Sequence, residues 1–218
     1  MITLPELLAQ LQDTQLVAVS KYQTQAAIKN LYAEGQRRFA ESRAQELEDK
    51  ALALPTDIEW HFIGHLQTNK IKTVYPYASV IQSIDSEKLL FAVEAEGARL
   101  HRSIKVLLQL KIAKEDTKYG FSEADLVLLL RQAAIKKLKY VQIIGLMGMA
   151  SNIDDQNEIL AEFTHIKTIF DTIKQDFYNN NDDASGNFKE LSIGMSGDYL
   201  LAKQAGSTMV RIGSLLFA

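Results

Sequence analysis

Short apolar segments alternate with amphipathic segments along the whole chain. The apolar segments have strand length, and several stop at a glycine or a polar residue. Between them, apolar residues recur three and four positions apart, which is typical of helices. The pattern predicts eight strands, near residues 16–20, 37–42, 58–64, 79–85, 103–112, 141–149, 188–196 and 207–217. It predicts a helix between each successive pair, at 24–36, 43–54, 66–77, 86–100, 122–134, 155–178 and 197–206.

The strict alternation of strands and helices favours one parallel sheet. Eight such units are the number found in a (β/α)8 barrel, the TIM barrel, and 218 residues are at the small end of its range. A further helix near residues 4–12 is expected to close the ring where an eighth helix normally lies. The alternative is an open, doubly wound sheet. No linker or change of composition divides the chain, so residues 1–218 are expected to form a single domain.

Composition narrows the class of protein. The chain is 47% hydrophobic and has a net charge of -3, so no overall attraction to nucleic acid or an anionic membrane is expected. It has no cysteine, which removes disulfides and thiolate chemistry. The N-terminus does not have the pattern of a signal peptide, and no apolar run is long enough to span a bilayer. We therefore expect a cytoplasmic protein.

Two segments rich in glycine and serine lie on or just after the last two predicted strands. They are IGMSGD (193–198) and VRIGS (210–214), and the N-terminus of a short helix lies beside them. In a barrel, this is the usual place of a phosphate site. Backbone N–H groups near Gly213 and the hydroxyl groups of Ser196 and Ser214 could approach an anion there. The same residue types also make ordinary turns, so both interpretations stay open.

Lys21 ends the first predicted strand, LVAVS, and is one of seventeen lysines in the chain. Most lysines are solvated, but one that is desolvated at the barrel mouth becomes an amine nucleophile. An amine facing a phosphate site suits pyridoxal phosphate, which also needs a partner for its pyridine nitrogen. Arg211 could be that partner if it points inward. The alternative for Arg211 is a buried structural ion pair.

Several segments in the same order resemble the pyridoxal phosphate homeostasis proteins, which are relatives of the alanine racemase barrel. The segments are LVAVSK, RRFAESRAQE, WHFIGHLQTNK, GLMGMA, LSIGMSGD and GSTMVRIGSLLF. The similarity extends from about residue 16 to residue 217. It implies a barrel of the alanine racemase N-terminal type with pyridoxal phosphate as its cofactor.

The resemblance also implies a role for individual residues. Lys21 corresponds to the lysine that forms the Schiff base, and Arg211 to the arginine near the pyridine nitrogen. The phosphate cradle corresponds to Ser196, Gly213 and Ser214. Two further residues complete the set: Met147, which packs near the ring, and Lys118, which resembles a second lysine and is a candidate partner in transimination. For these two, a core methionine and a mobile loop lysine are the ordinary alternatives.

The sequence departs from the family pattern at the ends of strands two and three. Ala40 and Ser42 replace a glycine and an asparagine that are common in the family, and His65 stands where proline is usual. These differences affect contacts from strands two and three, but not Lys21 or the phosphate cradle.

The function expected from the resemblance is binding rather than turnover. A racemase needs two bases. In alanine racemase the second base comes from a separate C-terminal domain, and the sequence has no residues after 218 that could form such a domain. Nothing in the sequence places Tyr22, Tyr119 or His65 opposite Lys21. We therefore expect a protein of vitamin B6 and amino-acid/keto-acid homeostasis, with no catalytic residues.

The expected partners are pyridoxal phosphate and, beyond it, apo-enzymes that use pyridoxal phosphate or regulatory proteins. The chain is expected to be a monomer that binds neither nucleic acid nor membranes. Two alternatives stay open. One is an amino-acid racemase or decarboxylase that uses pyridoxal phosphate. The other is a scaffold without cofactor that acts through protein contacts.

Two further expectations concern charged and metal-binding groups. His61 and His65 are four residues apart at a strand end, where that spacing does not favour a zinc site. Glu41, Glu46 and Glu48 are expected to face solvent or to pair with arginines.

Overall fold

The computed structural model describes residues 2–112, 119–178 and 187–217. The strands are β1 (Gln15–Val19), β2 (Arg38–Glu41), β3 (Glu59–Phe62), β4 (Val80–Ile84), β5 (Ile104–Gln109), β6 (Val141–Met147), β7 (Glu190–Ser192) and β8 (Met209–Ile212). The α-helices are α1 (Leu4–Leu11), α2 (Gln25–Ala33), α3 (Ala44–Ala53), α4 (Ile71–Val74), α5 (Glu87–Leu100), α6 (Glu123–Arg131), α7 (Gln156–Tyr178) and α8 (Tyr199–Gln204).

The eight strands form one closed parallel barrel. Each strand pairs with the next along the chain, and β8 pairs with β1 from Gln15↔Met209 to Ala18↔Ile212. The (β/α)8 prediction is confirmed, and the open sheet is excluded. Because all the strands are parallel, their C-terminal ends lie at the same mouth of the barrel. Active sites and binding sites of this fold are found at that mouth.

Helix α1 lies where an eighth barrel helix would otherwise be. Thr3 caps it in a capping box with Glu6, which satisfies N–H groups at its first turn. Tyr199 and Lys203 of α8 each hydrogen-bond to Gln10 near the end of α1. The predicted closing helix is therefore present.

Two apolar layers hold the barrel. The larger lies between the strands and the surrounding helices and contains most of the buried leucine, isoleucine and phenylalanine side chains. Smaller clusters fill the interior of the barrel. One is built on Val17, Val19 and Met209, and the other on Leu107 and Met147. The interior of the barrel is therefore a packed core.

Several predicted elements are longer than the observed ones. Strand β7 ends at Ser192, because Gly194 then adopts a φ of +95° and turns the chain out of the sheet. The predicted helix at 66–77 is one 3-10 turn, Thr68–Lys70, followed by the short α4. Tyr75 keeps helical backbone angles, but Pro76 has no N–H to donate to the next helical hydrogen bond, which limits the extension of α4.

No helix in the described part of the chain is long and apolar enough to cross a membrane.

Candidate functional site

A cavity of about 380 Å³ opens at the barrel mouth. Its size is in the range of small-molecule sites. All six residues that the sequence predicted as cofactor contacts line it: Lys21, Met147, Ser196, Arg211, Gly213 and Ser214. The other lining residues are Val19, Ser42, Ile63, Met149, Met195 and Gly197. Lys118, the predicted second lysine, lies outside the described residues.

The cavity combines positive charge with an apolar wall. Lys21 and Arg211 are its cations, and no aspartate or glutamate is among the described residues that line it. Valine, isoleucine and methionine side chains supply most of the remaining surface, and methionine adapts well to flat aromatic groups. Such a site favours a small anionic ligand with an apolar or aromatic body.

The loops after β7 and β8 meet on one side of the cavity. The Gly213 N–H donates to the Ser196 hydroxyl oxygen at 3.2 Å, which joins the two loops. A side chain at Gly213 would place its Cβ 3.2 Å from the Val19 carbonyl oxygen, so the backbone packs closely here. The Met195 N–H donates to Asp198, at the start of α8. These contacts give the predicted phosphate segments a defined shape beside the cations.

Arg211 lies on β8 and is buried, with 4% of its surface exposed. Its guanidinium donates to the Ser192 carbonyl oxygen at 2.7 Å, the Ser192 hydroxyl at 2.7 Å and the Gly148 carbonyl oxygen at 2.9 Å. Burial lowers the pKa of Arg211 to about 10, and the charge of Asp198 opposes that shift. Arg211 is thus protonated at neutral pH and rigidly held. The alternative for Arg211 was a buried structural ion pair. Arg211 is buried, but the groups that accept its hydrogen bonds here are carbonyl and hydroxyl oxygens.

A chain of polar side chains extends from Arg211 into the barrel core. The Ser192 hydroxyl donates to Gln82 Oε1 at 2.7 Å, and Gln82 Nε2 lies 2.7 Å from His61 Nδ1. Since an amide nitrogen can only donate, His61 Nδ1 is the acceptor and the proton of the neutral ring is on Nε2. Burial, followed by the charges of Arg38 and Lys105, lowers the pKa of His61 to about 3. The sequence analysis missed Gln82 and Ser192, although polar residues within apolar strands were a usable signal.

The neutral state of His61 predicts a pH dependence of stability. Because its folded pKa is about 3 and its ordinary value is 6.5, the unfolded chain binds the proton first as pH falls. Stability is therefore lost on acidification, and His61 alone is expected to cost about 2 kcal/mol between pH 7 and pH 5. Urea unfolding should show that the loss of stability between pH 7 and pH 5 is smaller by about 2 kcal/mol in His61→Gln than in the unchanged chain. His101→Asn, at an exposed left-handed position, is the control. An unchanged dependence in His61→Gln would contradict the assignment.

Lys21 lies in a tight turn just after β1. The Gln23 N–H donates to the Ser20 carbonyl oxygen at 3.0 Å, and Tyr22 has a φ of +64°. Lys21 itself is exposed at the rim of the cavity, so burial does not desolvate its amine in this structure. Its proximity to the site comes from the turn rather than from burial.

The prediction for Glu41 is wrong. Glu41 is fully buried at the end of β2 and pairs with Lys50 of α3 at 2.8 Å. The Ser20 hydroxyl donates to the same carboxylate oxygen, Oε1, at 2.6 Å. Burial raises the pKa of Glu41, although Lys50 and Ser20 act in the opposite direction. The sequence could not show this pair, because Lys50 reaches the strand end from a helix face that also carries exposed residues.

The other two glutamates fit their prediction more closely. Glu46 lies beside Arg43 and also contacts Lys50 and the Tyr22 N–H. Burial acts to raise its pKa, but the Tyr22 N–H, Lys50 and Arg43 outweigh it and hold the pKa below the usual value. Glu48 accepts from the Tyr77 hydroxyl.

The histidines at the end of β3 do not share a site. His61 points into the core, whereas His65 Nδ1 lies 3.0 Å from Asp85, and its ring stacks on Tyr119 at 3.8 Å. The described residues contain no group of three or more histidines or carboxylates that could hold a metal ion. His65, Tyr119 and Tyr22 are not among the residues that line the cavity.

Comparisons with known proteins agree with the observed fold. The sequence model of the family described as "Alanine racemase, N-terminal domain" matches residues 4–218. A pyridoxal phosphate homeostasis protein of Synechocystis sp. is 37% identical over 207 residues, which cover 94% of this chain and 91% of the relative.

Solved structures of a second relative, PipY of Synechococcus elongatus, superpose closely. The structure without pyridoxal phosphate has a TM-score of 0.91 at 36% identity, and the one with pyridoxal phosphate bound has 0.86 at 35%. Both comparisons cover 99% of this chain and 98% of that chain. With its closed barrel and near-complete match to these relatives, the chain belongs to the alanine racemase N-terminal domain family and, within it, to the pyridoxal phosphate homeostasis proteins.

Proposed function

We propose that the chain binds pyridoxal phosphate in the cavity at the barrel mouth and holds it as a Schiff base on Lys21. In this proposal the protein serves the balance of vitamin B6 and of amino and keto acids. The observation that carries it is the composition of the cavity. One primary amine, one buried arginine and a serine–glycine loop pair surround an apolar wall in a space of about 380 Å³.

Each part of the cofactor has a matching part of the site. Ser196, Gly213 and Ser214 offer hydroxyl and backbone groups to the phosphate. Met147 lines the cavity and offers an apolar surface to the ring. Arg211, protonated at neutral pH and fixed by Ser192 and Gly148, suits the pyridine nitrogen as a donor.

The lining of the cavity supports binding rather than turnover. Racemisation needs a base on each face of the substrate, and no tyrosine, histidine or carboxylate is among the described residues that line the cavity. Beside the pyridine nitrogen, a protonated Arg211 would also keep that nitrogen unprotonated, which would weaken the ring as an electron sink. The curated relative carries the name of a homeostasis protein rather than of an enzyme. Steady turnover of an amino acid that is lost in Lys21→Ala would instead favour a racemase or decarboxylase.

The proposal includes delivery of the cofactor. The chain acts as a cytoplasmic monomer that passes pyridoxal phosphate to apo-enzymes, and Lys118 serves as the second amine during release by transimination. The support for Lys118 is its resemblance to the second lysine of the family. Exchange of bound cofactor that is slowed in Lys118→Ala, with the adduct at Lys21 intact, would be the expected result.

The test of the proposed function is a titration of the purified chain with pyridoxal phosphate. We expect a Schiff-base absorbance band that saturates at one cofactor per chain. Borohydride reduction and peptide mapping should place the adduct on Lys21. Pyridoxal without its phosphate is the matched probe, and it should bind much more weakly. An adduct spread over surface lysines, or no saturating band, would contradict the proposal and favour a scaffold without cofactor.

A further inference from the structure

The turn that carries Lys21 is held in a costly backbone conformation. Tyr22 has a φ of +64°, in the left-handed region that bulky residues rarely adopt. Such a conformation persists only where the surrounding structure imposes it. The contacts that hold Tyr22 therefore also decide where the preceding residue, Lys21, places its amine.

Two contacts bind the backbone on either side of Lys21. On the N-terminal side, Lys50 Nζ donates to the Ser20 carbonyl oxygen at 2.8 Å. On the C-terminal side, the Tyr22 N–H donates to Glu46 Oε2 at 3.1 Å. Lys50 Nζ also lies 3.3 Å from that carboxylate oxygen, so one ion pair links the two anchors.

Both anchors come from the same helix, α3, and their side chains are shielded from water. The Lys50 side chain is 9% exposed and that of Glu46 is 25% exposed. Glu41 fixes the Lys50 ammonium from the strand side at 2.8 Å. In addition, the Arg43 guanidinium lies 4.8 Å from the centre of the Tyr22 ring. Charge-assisted hydrogen bonds in such surroundings are among the stronger contacts in a protein.

We propose that Glu46 and Lys50 are positioning residues for the Lys21 amine. They hold the Ser20–Gln23 turn in its strained form, and this keeps Lys21 at the rim of the cavity. The inference rests on the proposed function, in which that amine forms the covalent bond with the cofactor. Loss of either anchor lets Tyr22 relax toward ordinary backbone angles and redirects Lys21 toward solvent. The phosphate loops, which lie on other strands, are unaffected.

Glu46 offers the sharper test, because it is half-buried and has a conservative replacement. Glu46→Ala removes the acceptor for the Tyr22 N–H, whereas Glu46→Gln keeps an oxygen in its place. We expect Glu46→Ala to slow formation of the Lys21 adduct by about tenfold or more, the factor that loss of a charge-assisted hydrogen bond implies. Glu46→Gln should stay within about threefold of the unchanged chain, because the bond is restored without its charge. Glu59→Ala, which removes a carboxylate at the opposite end of the barrel, is the control.

Two measurements follow the turn without the cofactor. Competitive acetylation with acetic anhydride reports the reactivity of the Lys21 amine, and amide hydrogen exchange reports the Tyr22 N–H. In Glu46→Ala we expect faster exchange at Tyr22 and a changed rate of acetylation at Lys21, with both near the original values in Glu46→Gln. Faster exchange at Tyr22 reports the loss of its hydrogen bond to Glu46, and the rate of acetylation at Lys21 reports the change in the turn.

A suppressor separates positioning from general stability. Asparagine adopts left-handed backbone at lower cost than tyrosine, so Glu46→Ala with Tyr22→Asn should recover much of the lost rate of adduct formation. A purely structural role of Glu46 in α3 would not be repaired from the turn. Recovery therefore supports positioning, and its absence overturns it.

The outcomes distinguish this inference from the proposed function. If the unchanged chain forms the Lys21 adduct and Glu46→Ala forms it equally fast, positioning is wrong and the function stands. If the unchanged chain forms no adduct at Lys21, the proposed function is wrong. Acetylation and hydrogen exchange then still decide whether Glu46 controls the turn.

Discussion

Lys21→Ala is expected to remove the covalent adduct with pyridoxal phosphate completely while leaving the fold intact. In the proposed function this amine is the reacting group, so neither the Schiff-base band nor a borohydride-reduced adduct at position 21 should form. Lys21 is exposed, so its loss should change the free energy of unfolding by no more than about 0.5 kcal/mol. Absorbance titration measures the Schiff-base band, and reduction with peptide mapping locates the adduct. Urea unfolding measures the free energy of unfolding.

The controls for this experiment address the reactivity of lysines in general. Pyridoxal phosphate reacts with accessible amines, and the chain has seventeen lysines. Lys105→Ala, an exposed lysine of β5 outside the cavity, should keep the band and the adduct at Lys21. Because Arg211 and the phosphate loops remain in Lys21→Ala, this variant should still bind the cofactor reversibly. A full adduct in Lys21→Ala would disprove the assignment.

The sequence predicted the parts of the site that follow from position in the fold. Lys21, Ser196 and Arg211 lie at or near the ends of strands, and a parallel barrel brings all strand ends to one mouth. Resemblance to the family then assigned roles to these positions. The structure places the six predicted contacts around one cavity, while their contact with the cofactor stays a prediction.

What the sequence could not show is how those residues are held. Arg211 depends on Ser192 and on Gly148, which are separated from it by 19 and 63 positions. Lys50 reaches Ser20 across 30 positions. Periodicity identifies the buried face of a helix or strand, but not which polar groups meet across the barrel. The predicted strands are longer than the observed ones for a related reason, since apolar residues continue past the end of the strand, as after β7.

Lys50→Met is expected to have the largest effect on stability. It leaves Glu41 fully buried without its cation, and Glu41 Oε2 already has no hydrogen-bond partner. Breaking a buried ion pair from one side typically costs about 3–5 kcal/mol. Methionine has nearly the length of lysine, so the loss reflects charge more than packing. Chemical denaturation measures it, and Lys88→Met, at an exposed position of α5, should change the stability by less than about 0.5 kcal/mol.

The pH dependence of this variant tests the cause of the loss. Burial raises the pKa of Glu41 above its ordinary value of 4.5, and removal of Lys50 raises it further. A carboxyl with a raised folded pKa binds a proton more readily in the folded state, so its contribution to stability is present at low pH and is lost as pH rises. The deficit of Lys50→Met should therefore be larger at pH 8 than at pH 5. Adding Glu41→Gln removes the buried charge and should restore most of the stability at pH 8, since the amide oxygen can still accept from Ser20. A deficit that is independent of pH and persists in the double variant would show that Lys50 contributes through packing instead.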